Sequence, residues 1–152
     1  MLTRNKELDN FRKFSPYYID LPPASSSAWE KYQDKIDALP RILGDFLASA
    51  KPYGFILAMT QEFQLLEDST QNLSRIIRDI ILGELDIKKI EDTIQNKLKL
   101  NRGISQEISQ KVVNQLFSLV WGEINKVQEK KFGAQTQSSN PNNTINLRDE
   151  NS

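Results

Sequence analysis

The chain has 152 residues, 38% of them apolar and 26% charged, with 20 basic residues balancing 20 acidic ones. That length supports one ordinary domain with its own core, and the lack of Cys and His excludes disulfide frameworks, thiol nucleophiles, Cys/His zinc sites and imidazole chemistry. A net charge of zero argues against broad electrostatic capture of nucleic acid or of an anionic membrane.

Apolar density divides the chain into residues 1–25, 26–132 and 133–152. The first part opens on closely spaced charges with no apolar stretch of a secretory signal, so a cytoplasmic protein is expected. Phe11, Phe14, Tyr17, Tyr18 and Ile19 then precede Leu21-Pro22-Pro23. A helix over residues 4–14 and an extended arm fit this pattern, because Pro fixes φ and pushes its predecessor out of the helical region. The arm either packs across its own domain or docks on a partner, in which case Phe14, Tyr17 and Tyr18 are the contact residues.

The body reads as helices. Ser25-Ser26-Ser27 offers N-caps for a helix through Trp29, Tyr32, Ile36 and Leu39. Pro40 opens a second, with Ile42, Leu43, Phe46, Leu47 and Ala50, and Lys51-Pro52-Tyr53-Gly54 is the break after it. A third follows with Phe55, Met59, Phe63 and Leu66 on one side. Ser69 or Thr70 caps a fourth, whose Leu73, Ile76, Ile77, Ile80 and Ile81 keep helical spacing without a gap until Gly83 closes it. Asp86 caps a fifth, with Ile87, Ile90, Ile94 and Leu98. After Asn101-Arg102-Gly103, Ser105 starts the longest helix, reaching about Lys131. No segment alternates as a strand does. The expected fold is all-α, a compact bundle of about six helices in stacked hairpins. Residues 133–152, with 3 apolar residues in 20, have too little apolar surface to offset ordering and read as a disordered tail.

The longest helix carries more apolar surface than one face needs. Ile108, Val112, Leu116, Leu119, Val120 and Val127 form a stripe at 100° per residue, and Val113, Phe117, Trp121 and Ile124 widen it far around the axis. Such an arc belongs either to a central helix packed on several sides or to a seam left for a partner, with Phe117 and Trp121 as its anchors. Three segments, starting at Arg41, Arg75 and Lys111, share a base–apolar–apolar–x–x–apolar–apolar pattern. Most amphipathic helices spell the same thing, and the tetratricopeptide signature is absent.

The chemistry-bearing inventory is thin. No phosphate loop, nucleophile elbow or carboxylate-rich calcium loop is present, so no catalytic residue, cofactor or metal is expected. Glu123 falls inside the apolar arc, where pairing with a lysine is the plain expectation. Helix-turn-helix proportions do occur: residues 87–98, the turn at Asn101-Arg102-Gly103, and the helix from Ser105. Ser105, Gln106, Gln110, Lys111 and Asn114 would then face bases. Residues 69–133 hold 11 basic against 8 acidic residues, sparse for a reader that must engage several phosphates. The leading expectation is a non-enzymatic interaction module, binding a protein partner or itself and no membrane; a DNA-binding regulator is the alternative.

The run Ile76–Leu85, continued by Glu91–Leu98 and Ile108–Phe117, resembles an uncharacterised short all-helical domain common in hypothetical proteins of candidate-phyla bacteria. There, a helix ending in Leu-Gly precedes an amphipathic helix and then a capped helix ending in Asn-x-x-Ile/Leu-Phe. The similarity covers about residues 70–125. The turn here, Leu100-Asn101-Arg102-Gly103-Ile104-Ser105, is longer than the Leu-Gly-Leu-Ser usual in that pattern. The resemblance implies an all-helical module and transfers no functional residue.

Overall fold

The computed structural model describes residues 2–133, with side chains from Glu7 onward; the tail expected over 133–152 thus lies almost wholly outside the described residues. Eight α-helices and no strand occur among them: α1 (Leu2–Phe14), α2 (Ser27–Asp37), α3 (Arg41–Ala48), α4 (Ala50–Phe63), α5 (Glu67–Leu82), α6 (Ile90–Leu98), α7 (Arg102–Lys111) and α8 (Trp121–Phe132). The all-α expectation is met, and the one extra helix comes from division of the long C-terminal helix into α7 and α8.

Local chemistry sets most of the boundaries. Ser26 sits in extended backbone before α2, and its Oγ accepts the Trp29 N–H at 3.0 Å, the standard N-cap bond. Asp86 and Asn101 do the same work, accepting the N–H groups of Lys88 and Ile104 at 3.0 and 2.8 Å. Gly83 ends α5 in the left-handed region at φ 77°, where glycine meets no Cβ penalty.

Three boundaries differ from the sequence expectation. The stretch Lys51-Pro52-Tyr53-Gly54 lies inside α4 and does not break the chain. Pro52 falls in the first turn, where an N–H has no helical acceptor to lose. The break is the single residue Ser49, whose Oγ donates to the Phe46 carbonyl at 2.7 Å and accepts the Lys51 N–H at 3.3 Å. α5 begins at Glu67, with Leu66 in the cap position expected for Ser69 or Thr70, placing Glu67 and Asp68 at the positive end of its dipole. Leu66, expected on the packed side of the third helix, instead precedes α5 at 77% exposure, and Leu65 takes the buried place. α7 likewise begins at Arg102 rather than Ser105, because Asn101 supplies its cap.

The centre of the molecule is α5. Its Leu73, Ile76, Ile77, Ile80 and Ile81 are all buried, and the helix touches α1, α3, α4, α6 and α8. α6 and α7 pack against each other across a short turn, and α8 lies against α3 and α5. One polar residue ties α8 down. Gln128 is fully buried; its Nε2 donates to the carbonyls of Ile80 and Leu85 at 2.9 and 3.1 Å, and its Oε1 accepts the Ile87 N–H at 2.8 Å. The amide therefore satisfies backbone groups that the α5–α6 turn exposes toward the interior.

The segment after α1 packs on its own domain and is turned rather than extended: the Ser15 carbonyl accepts both the Tyr18 and Ile19 N–H groups. Ser74 Oγ, from the middle of α5, donates to the Phe14 carbonyl at 2.7 Å.

Candidate interaction surface

The long helix expected from Ser105 to Lys131 is broken. Between α7 and α8 the chain makes a π turn over Val112–Leu116 and a 3-10 turn over Phe117–Val120. The Phe117 N–H donates to the Val112 carbonyl, five residues back. One inserted residue rotates everything downstream by roughly 100° relative to an unbroken helix. Two apolar stripes of different phase thereby meet at one point. Ile108, Val112 and Leu116 end the first; Phe117, Ile124 and Val127 begin the second, and all six are buried. The wide arc read from the sequence is thus two narrow stripes out of register.

This corrects the expected anchors. Phe117 is among the fully buried side chains and offers nothing to a partner in this structure. Leu119, assigned to the buried stripe by the uniform wheel, is 57% exposed, and Trp121 is 40% exposed. They lie two residues apart across the break, on the 3-10 turn and on the first residue of α8, which has no side-chain cap. A signal for Leu119 was present: ten apolar residues over so wide an arc cannot all face one core from a straight helix. Lys111 fixes the α7 side, reaching Glu62 of α4 at 3.7 Å.

The arm aromatics are half-buried in a cluster of their own. Phe11 contacts Tyr18 and Tyr53 at ring separations of 5.3 and 4.9 Å, and Tyr17 contacts Tyr18 and Tyr32 at 4.7 and 5.5 Å. The Tyr32 hydroxyl donates to the Tyr17 carbonyl at 2.8 Å, and Gln33 Nε2 donates to the Tyr17 hydroxyl at 2.9 Å. Burial pushes the Tyr32 phenol well above its ordinary value. Next to this cluster Asp20 accepts from Arg75 Nε at 3.0 Å and from Arg78 Nη1 at 2.7 Å. Burial alone would raise the Asp20 carboxyl; the two guanidinium hydrogen bonds outweigh it and hold the group below the usual carboxylate range. Tyr17 and Tyr18 thus pack on their own domain, Phe14 is half-buried and its carbonyl accepts Ser74 Oγ, and Asp20 ties the arm to α5.

The five residues placed on a base-reading helix do not share a surface. Ser105 is buried and its Oγ donates to the Asn101 carbonyl at 2.8 Å, so it reaches no base edge. Gln106, Gln110 and Asn114 are exposed, whereas Lys111 is half-buried against Glu62. Asn114 also belongs to the π turn, outside the helix that would enter a groove. Glu123 is half-buried and meets Lys126 at 3.8 Å. No group of three or more Asp or Glu side chains that could hold a metal ion occurs among the described residues, and no helix among them is long and apolar enough to cross a membrane. The three segments sharing the base–apolar–apolar pattern are structurally unlike: two lie in α3 and α5, and the third crosses the π turn.

Comparison with known proteins finds no matching family model, no matching curated protein and no matching solved structure.

Proposed function

We propose that the chain is a non-enzymatic helical interaction module that binds a protein partner, or a second copy of itself, through the Leu119/Trp121 surface. The observation that supports this reading is the pair itself: two large apolar side chains held exposed on a backbone break that is buried at Leu116 and Phe117. Exposed Trp beside Leu is the composition of an interface anchor, since Trp dominates hot spots when a partner desolvates it. The break also holds the pair on backbone that packs through Leu116 and Phe117, which limits the entropy lost on binding. A cytoplasmic location belongs to the same reading, supported by a cysteine-free composition that suits a reducing compartment.

The test is association of the full chain, measured as mass by sedimentation velocity and as partners retained in quantitative affinity capture. Trp121→Ala is expected to weaken association by about 2 kcal/mol, roughly thirty-fold in Kd. Stability should change by less than about 1 kcal/mol in the same variant. Associations identical in the wild type and in the Leu119→Ser/Trp121→Ala variant would remove this surface from consideration.

A further inference from the structure

Against the last turns of α8, the α2–α3 corner and the end of α5 enclose a groove of about 480 Å³, within the size range of small-ligand pockets. Its apolar lining consists of half-buried Leu39, the margins of Leu82 and Val127, and the methylene stems of lysines. Gly83 lets α8 come this close: a Cβ there would lie 2.7 Å from Lys131 Cγ and 2.9 Å from Val127 Cγ1. The Lys131 stem therefore lies along the end of α5. Gln128, bonded to the Ile80 carbonyl from the buried side of α8, fixes the spacing. The groove is thus preformed, which keeps the ordering cost of an occupant small.

Lys35, Lys126, Lys130 and Lys131 stand around this lining, and Glu84 is the one acid among the lining residues. Lys35 engages Glu84 at 2.6 Å, and Lys126 reaches Glu123, a turn toward the break, at 3.8 Å. Lys130 and Lys131 form no ion pair among the described residues. Glu129 is turned about 160° away from Val127 on the α8 wheel. A narrower cleft of about 120 Å³ adjoins at Lys35, Leu82 and Glu84 and brings in Asp20 and Arg78, which already pair with each other at 2.7 Å. The charge left over is positive and sits at Lys130 and Lys131. A helix end favours cations for its own dipole, which accounts for these two lysines and leaves the apolar lining beside them unexplained.

None of the exposed large apolar side chains, Leu119 and Trp121 included, lines the groove. The apolar surface is sunk between lysines, where a slender chain reaches and a flat protein face does not. We propose that the groove binds a small anionic amphiphile, an unbranched acyl carboxylate. Its chain lies along Leu39, Leu82 and Val127, and Lys130 and Lys131 take its carboxylate in charge-assisted hydrogen bonds. This site is separate from the Leu119/Trp121 surface and stands or falls independently of it.

The experiment uses the full chain with dodecanoate below its micelle concentration, followed by calorimetry and by backbone amide shifts. Saturable binding at one site is expected, with shifts centred on Ala38, Leu82, Gly83 and Val127. Dodecyltrimethylammonium, the same chain with the opposite head, should bind about ten-fold more weakly, the scale of exchanging two surface attractions for repulsions. Octanoate, four methylenes shorter, should also lose at least about ten-fold. Lys130→Gln/Lys131→Gln should abolish the preference between the two heads, and Lys130→Glu/Lys131→Glu should invert it; thermal melts check that both variants stay folded. Equal affinity of the native chain for the two heads, or a preference that survives both substitutions, would overturn the proposal. Binding that needs micelles, or shifts centred on Leu119 and Trp121, would overturn it as well. So would tighter binding at the same amides by a short peptide of leucines and glutamates, which would assign the groove to a protein segment.

Discussion

α5 and the stretch from α7 to α8 are both spelled as long amphipathic helices, yet only α5 is one. In α5 the apolar positions Leu73, Ile76, Ile77, Ile80 and Ile81 fit a single face, and one straight helix buries them all. The α7–α8 stretch holds buried residues in two phases, and the backbone reconciles them with a π turn and a 3-10 turn between Val112 and Val120. The lesson is that arc width, more than arc length, foretells whether an apolar helix stays continuous. A stripe too wide for one contact face is resolved either by neighbours on every side or by a change of register. Here α5 took the central place, and the other segment changed register.

The largest expected effect tests whether the break is a packing device. Phe117→Ala should cost about 3–5 kcal/mol, comparable with Ile77→Ala in α5, read from urea unfolding midpoints at unchanged slope. A loss below about 0.5 kcal/mol would return Phe117 to the surface, where a uniform wheel puts it. Gln128→Leu comes next. It keeps most of the volume but strands the buried Ile87 N–H and the Leu85 carbonyl, while the Ile80 carbonyl keeps the Gly83 N–H, so a loss of about 2–3 kcal/mol is expected, with hydrogen exchange fastest at the α5–α6 turn.

A smaller effect separates the arm from the core. Asp20 has a lowered carboxyl pKa in the folded state, so its stabilisation is present above the ordinary carboxylate range and is lost as pH falls below about 4. With the side chain 43% exposed, solvent screening keeps the contribution under about 1 kcal/mol. Asp20→Asn should flatten that part of the stability profile between pH 6 and pH 3. The smallest effect has the opposite sign. Ser15 Oγ is buried without a hydrogen-bond partner among the described residues, and Ser15→Ala should be neutral or stabilise by up to about 1 kcal/mol in thermal melts. A clear destabilisation would mean that the hydroxyl has found a bridging water.

Much of the fold was legible in the sequence because it rests on short-range rules. The α5 stripe is pure periodicity, and Ser26, Asp86 and Gly83 act where cap chemistry says they should. The turn at Ser49 was not legible, since a Pro at the third helical position looks the same on paper as a Pro that ends a helix. The α7–α8 break contains no Gly or Pro before Gly122; it arises from a conflict between two packing faces, which only the assembled core decides. That conflict also misplaced the candidate site by two positions, exchanging Phe117 for Leu119 while leaving Trp121 in place. Gln128 had no signal at all, because a glutamine in a mixed helix reads as surface until the turn it serves is known.

Gln128 has a consequence for the order in which the molecule is made. During synthesis the α5–α6 corner emerges some forty residues before the side chain that completes its hydrogen bonds. Until α8 follows, the Ile87 N–H and the Leu85 carbonyl lack the partner that Gln128 supplies and are left to water. Completion of that corner therefore waits for α8, the last of the described helices.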